Sequence, residues 1–565
     1  MNIEMSLPQI LADRALTMGD NDLYHYIPPR SNVPLKLTYR QLHEQSCQIA
    51  SVLKDYGLNG KNALLMYPPG LDFIKAFFGC MRANVSSIPM YIPSGNIPDN
   101  RLLGIVETVE IKIVLTIKSK EQQIRNLLLN LLPDKEILII ATDEILLSSP
   151  AIREDLIIDL EQPALIQFTS GSTSKPKGVI VTHSNIVNNQ YMIERGFNRH
   201  AKTSGGETIV SWLPFFHDMG LICSIMHPIF IGGCSVLMSP VDFLQNPYKW
   251  LKLISDYSAE IAGAPNFAYD YCVSRIDKSQ IEDLDLSSWS VAYSGSEMIR
   301  PSTMKRFFEN FSNYGFRKES IFYCYGMAET TLYVSGFTGG FEESETDQSV
   351  ACVGIPDEKS EVLIVDENKL PLNDGQVGEI WIRGPHVAPC YLNNPEATEA
   401  VFEATLSNQS EEEYKQYLRT GDLGYMKNGF LYMVGRLKNV LVLNGKNYFG
   451  EEVEYYISKS NDYFVDSGSC LIQLNEGFEN SEVIFIQEIH KKNIEQVKSD
   501  LVSLEESAIR LSRNVLNDFK LPIHRFIFLR SGRLPRTSSG KIDRGQARDF
   551  ILSAEENCIL DVEVN

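Results

Sequence analysis

The chain of 565 residues contains no run approaching the roughly 18 consecutive apolar residues that a membrane-spanning helix requires. Its first residues, Met1-Asn-Ile-Glu-Met-Ser, lack the basic-then-apolar order of a secretory signal, so no membrane span and a cytoplasmic setting are expected. Positive charge is also scarce. Fifty-two Lys and Arg stand against 72 Asp and Glu, a net charge of −20, which argues against a general binder of nucleic acid or anionic membrane, because both need a basic face. The ten cysteines are scattered singly from Cys47 to Cys558, with no C-x-x-C pair and no His cluster at ligand spacing. They are expected to be small buried thiols in a reducing compartment rather than disulfides or metal ligands.

What remains is an ordinary globular composition, 44% hydrophobic and 22% charged, on a chain too long for one core, since single cores rarely exceed about 250 to 300 residues. The first part alternates strand and helix patterns. Thr38 is expected to cap a helix through Tyr56, Asn62-Ala-Leu-Leu-Met66 reads as a buried strand, and Leu71 to Ala83 reads as a helix presenting Ile74, Phe77, Phe78 and Met81. Ile111 to Thr116 and Glu136 to Ile140 continue the pattern, which predicts a parallel sheet covered on both faces. Two further strand patterns bracket Gln167-Phe-Thr-Ser-Gly-Ser-Thr-Ser-Lys-Pro-Lys-Gly-Val179. Gly171 and Gly178 let backbone N–H groups approach an anion, Ser170, Ser172, Thr173 and Ser174 add hydroxyls, and Lys175 and Lys177 add charge. The loop is built to hold phosphate, although a flexible polar surface loop would have the same composition. It is not a Walker A loop, because G-x-x-x-x-G-K-[ST] cannot be laid on it and a strand pattern follows.

Five more stretches carry recognisable chemistry: Leu213-Pro-Phe-Phe-His-Asp-Met-Gly-Leu221, Tyr325-Gly-Met-Ala-Glu-Thr-Thr-Leu332, Arg419-Thr-Gly-Asp-Leu-Gly-Tyr425, Gly435-Arg-Leu-Lys438 and Pro535-Arg-Thr-Ser-Ser-Gly-Lys541. With the Gly/Ser/Lys loop, they resemble in order the motifs of the adenylate-forming superfamily, which contains acyl-CoA synthetases, luciferases, peptide-synthetase adenylation domains and fatty acyl-AMP ligases. Met-Ala-Glu at 327–329, the His-Asp-Met-Gly segment, Ala264-Pro-Asn-Phe-Ala-Tyr-Asp270 and Gly445-Lys-Asn447 resemble the fatty acyl-AMP ligase branch.

The resemblance implies an α/β fold. A large N-terminal domain of mixed sheets layered with helices, residues 1–436, would bind ATP and the acyl group. A small mobile α+β domain, residues 437–565, would carry Lys541, with a hinge near Lys438. Thr169, Ser170, Gly171, Ser172, Thr173 and Lys177 would hold the phosphates of ATP. Ser294, Gly295 and Ser296 would lie under the adenine, with Tyr325 and Gly326 flanking it and Met327 and Ala328 following. Asp422 is expected at a strand-to-turn junction, where its two oxygens would accept both ribose hydroxyls, and Arg436 would also reach the nucleotide. Glu329 would contact Mg²⁺, for which one carboxylate suffices, or else serve as a helix N-terminal acid.

By the same resemblance, His217 would lie where the acyl chain meets the phosphates. A lone His beside aromatics is commonly a structural hydrogen-bonder, and a carboxylate of pKa about 4 needs no base at pH 7. Substrate contact and a structural role therefore both stay open, and Asp218 can equally cap the next helix. Small residues Ala262, Gly263 and Ala264 leave room for an apolar ligand channel or for tight packing at a strand end.

The reaction implied is attack of a fatty carboxylate on the α-phosphorus of ATP, with Lys541 shielding the charge, and then acyl transfer to the phosphopantetheine thiol of an acyl carrier protein. A basic tract from Arg513 to Arg548 would guide an acidic carrier. One departure is noted: the insertion usual in this branch before the strand Glu361-Val-Leu-Ile-Val365 is short or absent, which leaves coenzyme A open as the alternative acceptor.

Overall fold

The structure is a computed structural model that describes residues 5–29, 31, 33–93, 100–148, 157–169, 176–201, 205–277, 279, 281, 283–338, 351–410, 414–443, 446–474, 482–536, 542–553 and 558–564. It divides into two compact units. The larger contains Met1–Thr169, Pro176–Thr420 and Tyr425–Tyr432, and the smaller contains Ser170–Lys175, Gly421–Gly424 and Met433–Asn565.

In the larger unit, a seven-stranded sheet runs in the order Cys390–Tyr391, Lys177–Thr182, Pro163–Thr169, Ser86–Met90, Asn62–Met66, Ile113–Thr116, Leu138–Ala141. Its last five strands are parallel, and the hairpin of Pro163–Thr169 with Lys177–Thr182 adds an antiparallel edge. The parallel strands are near-continuous apolar runs because helices cover both faces of such a sheet. Leu71–Arg82 is one of these helices, with ten of its twelve residues buried. Tyr39–Asp55 is another, opened by a capping box in which Thr38 and Gln41 exchange hydrogen bonds at 3.0 and 3.2 Å.

A second sheet of thirteen strands has a parallel centre, Ile321–Tyr325, Val291–Ser294, Ile261–Ala264, Thr208–Ser211, Cys234–Met238 and Asp22–Ile27 in that order. The strand Thr208–Ser211 stops two residues short of Leu213. There the Ser211 hydroxyl accepts the Leu213 N–H at 3.1 Å, and Pro214 has no N–H to continue a ladder. The helical stretch beyond it comes in three pieces, Asp218–Leu221, a wider π-turn Ile222–Met226, and His227–Ile231. Asp422 lies inside the strand Leu418–Lys427 and not at its end, because the turn falls later, at Asn428 (φ +53°) and Gly429 (φ +81°).

The smaller unit is α+β. Its four-stranded sheet has the order Phe464–Leu474, Glu482–Ile489, Arg525–Arg530, Cys558–Glu563, and a hairpin pairs Val440–Leu443 with Lys446–Phe449. Side chains of Glu482–Ile489 alternate between two cores. Val483, Phe485 and Ile489 pack with Leu504, Leu511 and Val515 of the helix Leu501–Phe519, whereas Ile484 and Ile486 pack with Ala547 of Arg544–Ser553. Among the described residues no helix is long and apolar enough to cross a membrane, and all ten cysteines are free thiols.

Candidate active site

The phosphate-type loop leaves the sheet at Thr169 and returns at Lys177, two residues that are direct partners across the hairpin. Ser170, Gly171, Ser172 and Thr173, with Ser174 and Lys175, lie outside the described residues. The neighbouring edge strand Cys390–Tyr391 pairs with Ile180 and Val179. This places the Lys177 ammonium 4.9 Å from the centre of the Tyr391 ring, and the Tyr391 hydroxyl donates to Glu329 Oε1 at 2.7 Å. Burial, and then the neighbouring Glu329 carboxylate, push the phenol well above its ordinary pKa, so it stays protonated as the donor.

Glu329 sits on the single 3-10 turn Ala328–Thr330. Thr330 closes this turn onto Met327, its hydroxyl meeting the Met327 N–H at 3.2 Å and the carbonyl at 2.9 Å. Thr331 then takes φ +65°, a conformation that β-branched residues rarely adopt, and its hydroxyl donates to the His386 carbonyl at 2.8 Å. Gly326 enters the turn so tightly that a Cβ there would lie 1.6 Å from the Leu332 carbonyl oxygen.

The helix His183–Ala201, which follows the hairpin directly, holds these segments together. Asn185 caps it through reciprocal bonds with Thr182 at 3.0 and 3.1 Å, and its amide donates to the carbonyls of Pro385 and Val387 at 2.9 and 3.0 Å. One turn on, Asn189 serves Tyr333 and Thr330 in the same way. Neither asparagine was predicted as a site residue. The available signal was two amides at i and i+4 on a helix face that is otherwise buried.

Ser294 ends its strand, and Ser296 follows at φ +70°. Ser296, Tyr325 and Gly326 line one cavity together with Asp218 and Met219. The cavity continues between apolar walls that include Ile193, Phe197, Tyr293 and Phe322. Three separately predicted segments thus meet in one place. Of the two readings left open for Ala262, Gly263 and Ala264, an apolar channel or a tightly packed strand end, the surroundings of Gly263 support packing. A Cβ on Gly263 would meet the Tyr293 ring at 2.2 Å, so these small residues serve packing.

His217 Nδ1 lies 2.5 Å from Asp218 Oδ1, and Asp218 Oδ1 also accepts the Met219 N–H at 2.7 Å. Their turn is fastened to the sheet by Gln167, whose amide donates to the Phe216 carbonyl at 2.9 Å, and to the helix Leu71–Arg82 by Phe215 packed on Phe73 at 5.7 Å. Gln167 was another residue that the sequence reading passed over.

In the smaller unit, the buried Asp422 pairs with Arg436 Nε at 3.0 Å. Lys541 lies outside the described residues, but its flanks are firmly held. Glu488 Oε1 accepts the N–H groups of Arg533 and Leu534 at 2.7 and 2.8 Å, and its Oε2 lies 3.3 Å from Arg536. Beyond the loop, Arg544 pairs with the buried Glu454. Part of the predicted basic tract has partners within the unit: Arg525 is tied to Asp561, Arg536 to Glu488, Arg544 to Glu454, and Arg548 to the Gln473 carbonyl, while Arg513, Arg530 and Arg533 are exposed.

Residues 20–392 match the family described as AMP-binding enzyme. The chain is 32% identical to a medium-chain-fatty-acid–[acyl-carrier-protein] ligase, TtuA, of Teredinibacter turnerae, over 91% of this chain and 88% of the relative. It is also 32% identical to the ligase of the same description, JamA, of Moorena producens, over 96% and 94%. Among solved structures, a fatty acyl-adenylate ligase from L. pneumophila in complex with acyl adenylate and pyrophosphate is 32% identical, with a TM-score of 0.71 over 99% of this chain and 98% of that one. The chain belongs to the AMP-binding enzymes, the ATP-using adenylate-forming class, and within them to the fatty acyl-AMP ligases.

Proposed function

We propose that this enzyme activates a fatty acid with ATP, releasing pyrophosphate and forming an acyl-adenylate, and then transfers the acyl group to the phosphopantetheine thiol of an acyl carrier protein. The observation that carries the reading is the apolar cavity whose polar end is formed by Ser296, Tyr325 and Gly326, with Glu329 three residues further on. An apolar tail and a nucleotide thereby have adjoining places. The relatives named as fatty-acid–[acyl-carrier-protein] ligases support both the acid and the acceptor.

In the first step, the carboxylate oxygen bonds to the α-phosphorus while the α–β bridging bond breaks and its electrons leave with pyrophosphate. The barrier is electrostatic, since an anion approaches a polyanion. Lys177 and the Ser170–Thr173 hydroxyls and amides are assigned to the phosphates, Ser294 to Ser296 and Tyr325 to Ala328 to the adenine, and Asp422 with Arg436 to the ribose. His217 is assigned to the acyl–phosphate junction. Lys541 is assigned to the reacting carboxylate and the bridging oxygen.

No three His, Cys, Asp or Glu side chains converge as a cage among the described residues, and Glu329 offers a carboxylate held by Tyr391, the residue whose ring carries the Lys177 ammonium. That donor set suits Mg²⁺, which takes one or two carboxylates plus water and substrate phosphates, and which when bound would screen phosphate charge. For the second step, the short 3-10 turn Leu437–Asn439 is assigned as the pivot, with Lys438 at its centre, so that a thiol can replace Lys541. Use of ATP supports a cytoplasmic location.

Fatty-acid-dependent exchange of labelled pyrophosphate into ATP tests the first step. Lys541→Ala should lower it by about a hundredfold or more, as loss of one charged donor does. Transfer to holo-carrier against coenzyme A tests the second, and efficient transfer to coenzyme A alone would make the protein an acyl-CoA synthetase.

A further inference from the structure

Tyr391 touches both charges that the adenylation reading assigns to the phosphate end of the site, each through a different part of its side chain. Its ring face carries the Lys177 ammonium at 4.9 Å, and its hydroxyl donates to Glu329 Oε1 at 2.7 Å. The ring itself is well anchored. Its residue pairs with Val179 across the edge ladder, Leu392 N–H donates to the Gly178 carbonyl at 2.7 Å, and the ring packs on Phe402 at 5.0 Å. The Tyr391 N–H donates to Thr398 Oγ1 at 3.1 Å, which fixes the short strand from its other side. Glu329 is gripped by the same segment a second time, since its carbonyl accepts the Ala388 N–H at 2.9 Å.

An ammonium and a carboxylate close to one another tend to pair directly and so become unavailable to a ligand. An aromatic ring receives a cation on its negative face, whereas a phenol O–H satisfies an anion. Tyr391 supplies both in one rigid group. Resting on the adenylation reading, we propose that Tyr391 is a positioning residue that holds Glu329 and Lys177 apart and aimed, so that the carboxylate is ready for the divalent cation and the ammonium for the phosphates before the nucleotide arrives.

The test is equilibrium binding by calorimetry of the full chain with an ATP analogue whose α–β bridge is methylene, measured with and without Mg²⁺. Tyr391→Phe keeps the ring and removes the hydroxyl. It should lose about tenfold of the affinity gained on adding Mg²⁺, the size expected for one hydrogen bond to a charged group, while metal-free affinity stays within about twofold of wild type. Tyr391→Leu removes the ring as well and should weaken metal-free binding several-fold in addition. In a Glu329→Gln background, Tyr391→Phe should change nothing further, because its target charge is gone.

A Tyr391→Phe protein with the full Mg²⁺ gain would overturn the proposal. So would equal losses with and without Mg²⁺, which would mark Tyr391 as a purely structural residue, and a melting curve run alongside identifies any loss of fold. Pyrophosphate exchange by the wild type is measured separately. Its absence would overturn the adenylation reading without altering the binding comparison.

Discussion

Asn189 and Tyr333 exchange two hydrogen bonds: the Asn189 amide donates to the Tyr333 carbonyl at 2.8 Å, and its oxygen accepts the Tyr333 N–H at 3.1 Å. Both residues are buried, and the same amide reaches the Thr330 carbonyl at 3.4 Å. A side chain here does the work of a missing strand, closing the Glu329 turn onto the helix His183–Ala201. Asn189→Ala should leave these backbone groups unpaired and cost about 2 to 4 kcal/mol. Hydrogen exchange at the Tyr333 amide should accelerate accordingly, and an unchanged rate there would show the turn to be self-supporting.

Gly326 allows that turn to form at all. With a hypothetical Cβ 1.6 Å from the Leu332 carbonyl oxygen, Gly326→Ala must displace backbone and not merely a side-chain tip. A shift near 1 Å at a positioned group typically costs about a hundredfold in rate. Pyrophosphate exchange should therefore fall by about that factor, while far-ultraviolet circular dichroism stays at the wild-type value.

Local composition and apolar period made the strand Asn62–Met66 and the strands flanking the Gly/Ser/Lys loop legible in the sequence, whereas Ser296, Tyr325 and Gly326 came from the motif resemblance, and that Asp218 lines the same cavity was not foreseen. The sequence did not reveal Tyr391, Asn185 or Asn189. Their importance comes from partners 62 to 214 residues away, which only the folded chain brings close. Asp422 was misplaced at a strand end because Thr-Gly-Asp reads as a turn, yet Asn428-Gly429 is the stronger left-handed pair and takes the turn. The small residues at 262–264 left both an opening and tight packing open, because the two leave the same signature in sequence, and the Tyr293 ring beside Gly263 supports packing.

Three histidines of the larger unit are buried and held neutral. Burial lowers His183 and His386 to about 4 and His227 to about 3, from an ordinary 6.5. His227 is further fixed by Gln190 Oε1 at 2.7 Å. In the unfolded chain each ring takes up a proton near pH 6.5, so the unfolded state gains protons first as pH falls. The stability these rings contribute is complete above about pH 6.5 and drains away from there down to about pH 4 for His183 and His386 and about pH 3 for His227, at about 1.4 kcal/mol per unit for each ring. Denaturant midpoints should fall steeply from pH 6.5 to 5 and hardly at all from pH 8 to 7. A flat profile across the lower range would mean that the rings are protonated in the folded protein.

Glu488 bears on the Lys541 assignment because it gathers the chain just before that residue. It is 1% exposed and accepts from the N–H groups of Arg533 and Leu534 while facing Arg536. Glu488→Ala would leave two N–H groups and one guanidinium without this partner, so residues 533–536 should lose their fixed course. Pyrophosphate exchange is expected to fall by about ten- to a hundredfold, with binding of the methylene ATP analogue within about twofold of wild type. Arg525→Ala provides the contrast: the Arg525–Asp561 pair lies on the partly exposed edge of the same sheet, where an ion pair contributes about 0 to 1 kcal/mol, and exchange should stay within about twofold. Equal losses in both variants would point to general destabilisation of the smaller unit, whereas a loss confined to Glu488→Ala ties this buried carboxylate to the placement of Lys541.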